Sequence, residues 1–175
     1  MPDVAVVSVV SSGLVGLLGA FGGFYAQRVT LANERCKRLE ERRADLRAAL
    51  AAAATAAMTA NRPIEADCSV SDSATEYLLR IDAMEPHLGQ LGIRLGPRSP
   101  AYQTYSSLRD RLFELEAFFV AAPSELTHRH VMKAVAGEAS HDPALEPLLQ
   151  AIEAAQDAED AFLEAAAAIA GSVDP

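Results

Sequence analysis

The sequence predicts an all-α protein: an N-terminal transmembrane helix continuing into an antiparallel bundle of about four helices. Three observations carry that expectation. Val4 to Ala26 is a run of 23 residues without a charge. Alanine, the strongest helix former, supplies 35 of the 175 residues. Apolar positions in the later segments recur at intervals of three and four, the period of a one-faced helix. Strand-like runs of Val, Ile, Thr and aromatics are absent after the first ten residues.

The opening run is long enough to span a bilayer. As a helix it measures about 35 Å at 1.5 Å per residue, against a hydrocarbon core of about 30 Å. Glycines 13, 16, 19, 22 and 23 would each cost a soluble helix about 1 kcal/mol relative to alanine. In lipid that objection weakens, because a broken helix finds no water for its backbone. A cleaved signal peptide would begin with positive charge. Here the basic residues Arg28, Arg35, Lys37, Arg38, Arg42, Arg43 and Arg47 all follow the run. An uncleaved single-span anchor is therefore favoured over a cleaved signal or a buried soluble helix. By the positive-inside rule the short N-terminus faces out of the cell membrane and the remainder is cytoplasmic. The expected organisation is an anchor at 1–27, a partly coiled-coil-like juxtamembrane helix at 28–60, and the rest of the cytoplasmic bundle at 61–175.

Small residues in the anchor are ordered. Ser12, Gly16, Gly19, Gly23 and Ala26 fall on one helix face, and Ser8, Ser12, Gly16 and Ala20 form a second ridge. Small residues let two helices approach closely in lipid, which points to a homo-oligomer. The alternative is that this face merely meets lipid. Basic residues Arg28, Arg35, Lys37, Arg38, Arg42 and Arg43 would lie at the inner leaflet, each contributing on the order of 1 kcal/mol with anionic lipid. Glu34, Glu40, Glu41 and Asp45 intervene and suggest ion pairs along the helix as well.

No Gly or Pro interrupts residues 24–61, so the first helix is expected to run to about Ala60. Val29, Cys36, Arg43, Leu50 and Ala57 recur every seven residues, as do Ala32, Leu39, Leu46, Ala53 and Ala60. Cys36, Leu39, Arg43, Leu46 and Leu50 mark this juxtamembrane face. It can form a homomeric coiled coil or pack on the chain's own later helices. The second is favoured, because those amphipathic helices need a partner.

Asn61-Arg62-Pro63 ends the helix, and 61–72 reads as a loop. Ser73-Ala74-Thr75-Glu76 has the form of a capping box, opening a helix with Leu78, Ile81, Met84, Leu88, Leu91 and Leu95 among its apolar positions. Pro86 is expected to kink it, and Gly89 and Gly92 to weaken its end. After a turn at 95–100, Ala101, Tyr105, Leu108, Leu112, Leu115, Phe119 and Ala122 describe a third helix, stopped by Pro123. Ser124 is positioned to cap a short fourth helix reaching about Ala136. The last helix begins near Pro143, with Leu148, Ile152, Ala155, Ala158, Phe162, Ala165 and Ile169 on one face. Glu153, Asp157, Asp160 and Glu164 lie opposite, a face read as solvated rather than as a dock for a basic partner.

Catalytic chemistry is sparsely represented. Glu125 with His128, and Glu138 with His141, have the Glu-x-x-His spacing of di-metal bundles. They lie thirteen residues apart, the second in a Gly- and Pro-bounded turn, and both pairs are read as solvated surface. Phosphate loops, nucleophile elbows and Cys-x-x-Cys motifs are absent. Cys36 is expected to be buried as a small apolar residue. Cys36 and Cys68 are too few for a disulfide scaffold. No cofactor or metal is expected.

Net charge is −9, and nine acids but no base follow Lys133. Such an acidic body argues against a nucleic-acid partner, which needs clustered Arg and Lys. A Gly/Ala-rich span, then "AQRVTLANERCKRLEERRADLRAAL", then Ala-rich helices is an order of features that resembles uncharacterised actinobacterial single-pass membrane-anchored helical proteins. The resemblance covers the first 60 residues, implies an anchored helical protein, and transfers no functional residue. The expected function is that of a non-enzymatic scaffold tethered to the lipid bilayer, self-associating and recruiting a cytoplasmic protein. The alternative is an oligomeric pore, with Ser8, Ser11 and Ser12 near its lumen. A metal-dependent bundle enzyme is a third reading, resting on the Glu/His pairs alone.

Overall fold

The computed structural model describes residues 3–62, 67–137 and 143–172, with side chains from residue 27 onward. Among these, six helices and no strand occur: α1 (Asp3–Ala60), α2 (Ala74–Asp82), α3 (Glu85–Leu95), α4 (Pro100–Ala121), α5 (His128–Val135) and α6 (Glu146–Ser172). The chain divides into two compact units, Met1–Asp45 and Leu46–Pro175.

In the first unit the backbone is helical from Asp3. The side chains of Ser12, Gly16, Gly19, Gly23 and Ala26 lie outside the described residues. So do all the other side chains of the uncharged run, and among the described residues no helix is long and apolar enough to cross a membrane. Residues 27–45 are all exposed.

The second unit is a helical bundle around one apolar core. From α1 it takes Leu50, Ala53, Ala57 and Ala60, which all join the core cluster. The α4 stripe is as the spacing requires, with Ala101, Tyr105, Leu108, Leu112, Leu115 and Phe119 all buried. From α6 come Leu148, Ala155, Phe162 and Ala166. The Tyr105 and Phe162 rings meet edge to face at 4.8 Å, the geometry their quadrupoles favour. α4 packs along α6 and also against α2 and α3, and α5 packs against α6.

Pro86 does more than kink its helix. The chain breaks after Asp82 and restarts at Glu85, with the proline in the first turn of α3, where its missing N–H costs nothing. Gly89 and Gly92 do not end α3. Gly92 instead leaves room for the Tyr102 ring, which would lie 3.1 Å from an added Cβ. The terminator is Gly96, at φ +83°, a conformation in which glycine pays no Cβ penalty.

The cap of α5 also differs from expectation. Thr127, not Ser124, precedes it, and the Thr127 N–H donates to His130 Nδ1 at 3.4 Å. Pro123 to Leu126 is occupied by a turn, closed by the Leu126 N–H on the Pro123 carbonyl at 3.0 Å. α6 starts at Glu146, three residues beyond Pro143, with Pro147 in its first turn. Arg80 reaches across from α2 to the end of α1. Its guanidinium donates to the Arg62 carbonyl at 2.7 Å and the Thr59 carbonyl at 3.5 Å. A helix end leaves such carbonyls without intrahelical partners, and a cation there also complements the helix dipole.

Candidate functional site

The heptad stripe changes environment along its length. Val29, Cys36, Leu39 and Arg43 are exposed, Leu39 at 55%. Leu46 is half-buried and packs on the core, and Leu50 is buried within it. From Leu46 onward the stripe therefore serves the chain's own bundle. The expectation of a buried Cys36 is corrected: it is exposed, as are all of residues 27–45, so among the described residues that heptad position is not covered.

The basic residues Arg28, Arg35, Lys37, Arg38, Arg42 and Arg43 are exposed as well. Arg38 approaches Glu34 one turn earlier at 3.9 Å, a solvent-screened pair of small energetic weight. Arg35, Arg38, Leu39 and Arg42 line one shallow surface depression. Apolar and cationic side chains thus share this stretch of helix.

Two sequence expectations about polar residues are overturned. Ser73 does not form a capping box: it sits in the helical region at ψ −7° and makes no side-chain cap bond. Its hydroxyl turns back onto the Val70 and Ser69 carbonyls, at 2.8 and 3.1 Å, and meets His128 Nε2 at 2.5 Å. His128, expected on the surface, is buried at 6% exposure. It stands one turn before buried Val131 on α5, and its ring lies 5.5 Å from that of Phe119 in an edge-on arrangement. That i, i+3 relation to Val131 was the sequence signal for its burial.

Ser73 has one hydroxyl proton, and the Val70 and Ser69 carbonyls, which can only accept, lie within its reach alongside His128 Nε2. With that proton on a carbonyl, the neutral His128 tautomer carrying Nε2–H donates to Ser73, whereas a serine nucleophile needs the reverse, a histidine that takes its proton. Burial pushes the His128 pKa down, Arg80 adds to the effect and Glu76 opposes it, so the neutral imidazole is favoured.

The backbone reinforces this joint. Val70 N–H donates to Leu126 O at 2.9 Å, and His128 N–H to Cys68 O at 3.1 Å. Together with the Ser69–Thr127 bridge they staple the segment before α2 to the start of α5. Arg129 adds an ion pair with Asp67 at 2.8 Å.

Glu125 is exposed while His128 is buried, so the first Glu-x-x-His pair does not converge. Glu138 and His141 lie outside the described residues. Among the described residues there is no group of three or more His, Cys, Asp or Glu able to hold a metal ion. Glu153, Asp157, Asp160 and Glu164 are exposed along α6. No family model, curated protein or solved structure matches the chain.

Proposed function

We propose that the protein is a non-enzymatic, single-pass membrane-tethered scaffold that self-associates through α1 and offers its antiparallel helical bundle to a cytoplasmic protein. One observation carries this reading: 23 residues without a charge are followed at once by a segment holding seven basic residues. A lipid solvent is what accommodates so many glycines in an apolar helix. The asymmetry of Arg and Lys orients the N-terminus outward and the bundle inward. Two features support self-association. The anchor carries two ridges of small residues, and Val29, Cys36 and Leu39 occupy exposed heptad positions just after it. A second copy of the same stretch fits them, since identical helices bring identical stripes. Tethering confines encounters to a surface and raises the effective concentration of whatever the bundle binds.

The test is membrane fractionation followed by a quantitative pull-down between two differently tagged copies in detergent. The full chain should sediment with membranes, resist carbonate extraction, and recover its differently tagged copy. Gly16→Ile with Gly19→Ile should reduce that recovery. A well-folded chain in the soluble fraction without detergent would refute the tether, and a membrane-bound monomer would refute the self-association.

A further inference from the structure

Where α5 meets α6 the surface holds a groove of about 330 Å³, lined by Ala134 and Val135 of α5 and by Leu149, Ile152, Glu153 and Gln156 of α6. Much of its apolar surface faces solvent. Val135 is 45% exposed, and Met132, one turn earlier on α5, is 47% exposed. Leu149 and Ile152 are half-buried.

A ridge of acids runs on from this groove. α6 carries Glu146, Glu153, Asp157, Glu159, Asp160 and Glu164 and no base. Glu153 lines the groove, and Asp157, Asp160 and Glu164 follow at intervals of four, three and four, which keeps them on one helix face. All four are exposed. Sequence alone assigns this row to solvent, but the apolar groove beside it is visible only in the fold. α5 contributes Arg129, which holds Asp67, and an exposed Lys133, while Arg62 borders the adjoining cavity. The six acids of α6 keep the local balance negative.

These two features together select an occupant. A nucleic acid or an anionic membrane surface would be repelled by the ridge. A second copy seated by two-fold symmetry would set ridge against ridge, because such a contact uses the same patch from each copy. A helix with an apolar stripe flanked by Lys or Arg satisfies both features at once, its stripe entering the groove and its cations reaching the carboxylates.

We propose that the α5–α6 groove is where the bundle receives its cytoplasmic partner, and that the partner presents a basic amphipathic helix. This rests on the scaffold reading above and names the chemistry of what the scaffold binds. Leucine-like side chains of the helix pack on Val135, Leu149 and Ile152, with flexible Met132 adapting at the rim. Its cations face Glu153, Asp157 and Asp160.

The test is calorimetric titration of the full-length chain in phosphatidylcholine nanodiscs, with empty discs subtracted. The probe is a synthetic helix of Leu, Ala and Lys about 18 residues long, its leucines at intervals of three and four. One peptide should bind per chain, and the same peptide with glutamate for every lysine should bind at least about tenfold more weakly. Glu153→Lys with Asp157→Lys should weaken the lysine peptide by about tenfold. Val135→Asp should weaken it at least as much although it adds negative charge, because it sets a carboxylate against the leucine stripe. Undiminished binding to folded Val135→Asp would show that the peptide merely sticks to acids, and would overturn the proposal. So would equal binding of the glutamate peptide, or no saturable binding. If Val135→Asp loses its helical circular dichroism, the two peptides and the charge-reversed pair still decide. Recovery of a differently tagged copy should be unchanged by Val135→Asp; a loss there would assign the groove to a second copy and overturn the proposal too. A chain that fractionates as soluble is titrated without discs, so failure of the tether leaves the groove test standing, and failure of the groove leaves the tether intact.

Discussion

Ser73 Oγ lies 2.5 Å from His128 Nε2, and this buried hydrogen bond joins the turn before α2 to the first turn of α5. Neither partner can reach water easily, with exposures of 5% and 6%. Replacing one alone leaves the other unsatisfied, which costs about 1–3 kcal/mol. Ser73→Ala should therefore lower unfolding free energy by about that amount in chemical denaturation. A double-mutant cycle with His128→Phe should show a coupling of about 0.5–3 kcal/mol, as expected of directly contacting residues.

The same pair makes stability depend on pH. The folded-state pKa of His128 lies below the ordinary value of 6.5, mainly through burial, with Arg80 adding and Glu76 opposing. Below 6.5 the unfolded chain therefore binds a proton that the folded chain resists. The contribution is complete above pH 6.5 and is lost as the pH falls from there through the lowered folded value. Melting temperature should hold steady from about pH 8 to 7 and decline on acidification. His128→Gln, which stays neutral, should flatten that decline as the pH falls below 6.5.

Tyr105 and Phe162 offer a test of the core that does not involve titration near neutrality. Both are fully buried, and their rings pack edge to face between α4 and α6. Phe162→Ala should cost about 3–5 kcal/mol, the range for emptying a buried aromatic site. Tyr105→Phe keeps the ring and removes only a hydroxyl 3.4 Å from the Met84 carbonyl. Its cost should stay within about 1.5 kcal/mol. Equal losses from the two changes would contradict this division between packing and hydrogen bonding.

What the sequence revealed follows from which interactions are local. The α4 stripe from Ala101 to Phe119 is legible because a single periodicity decides the burial of every third or fourth residue. Pro86 was legible as a disturbance but not as a full break, since only the packing of α2 and α3 on α4 settles how far the chain can turn. Ser73 was misread because two signals compete at one position. Its spacing to Glu76 suggests a cap, whereas His128, 55 residues away, takes the hydroxyl. The Glu125–His128 spacing, with no matching pair on a second helix, points to the surface, whereas the register of His128 with Val131 points to the core, and the register prevails. Of the candidate interaction surface, the heptad positions are visible in sequence. The boundary at Leu46, where the chain's own bundle takes over the stripe, depends on long-range packing and is not.

Gly96 ends α3 with φ +83° and open space around its α-carbon. Strain, not crowding, is then the whole penalty for a side chain there. Gly96→Ala should destabilise the bundle by about 1 kcal/mol. Gly89→Ala, also in open space but inside the helix, should stabilise it by about 0.5–1 kcal/mol. Opposite signs in one denaturation experiment would separate conformational strain from helix propensity.

Ala57 and Leu39 occupy heptad positions in the same helix but in opposite surroundings. Ala57 has no exposed surface and belongs to the core, whereas Leu39 is 55% exposed. Ala57→Leu inserts three heavy atoms where neighbouring helices already touch, and should cost about 1–3 kcal/mol of bundle stability. Leu39→Ala removes little buried area within one chain, so unfolding free energy should change by no more than about 0.5 kcal/mol. If a second copy covers Leu39, the same change removes apolar contact between chains. Recovery of the differently tagged copy should then fall while the melting curve stays in place. A loss of bundle stability without any loss of association would instead show that Leu39 serves its own chain.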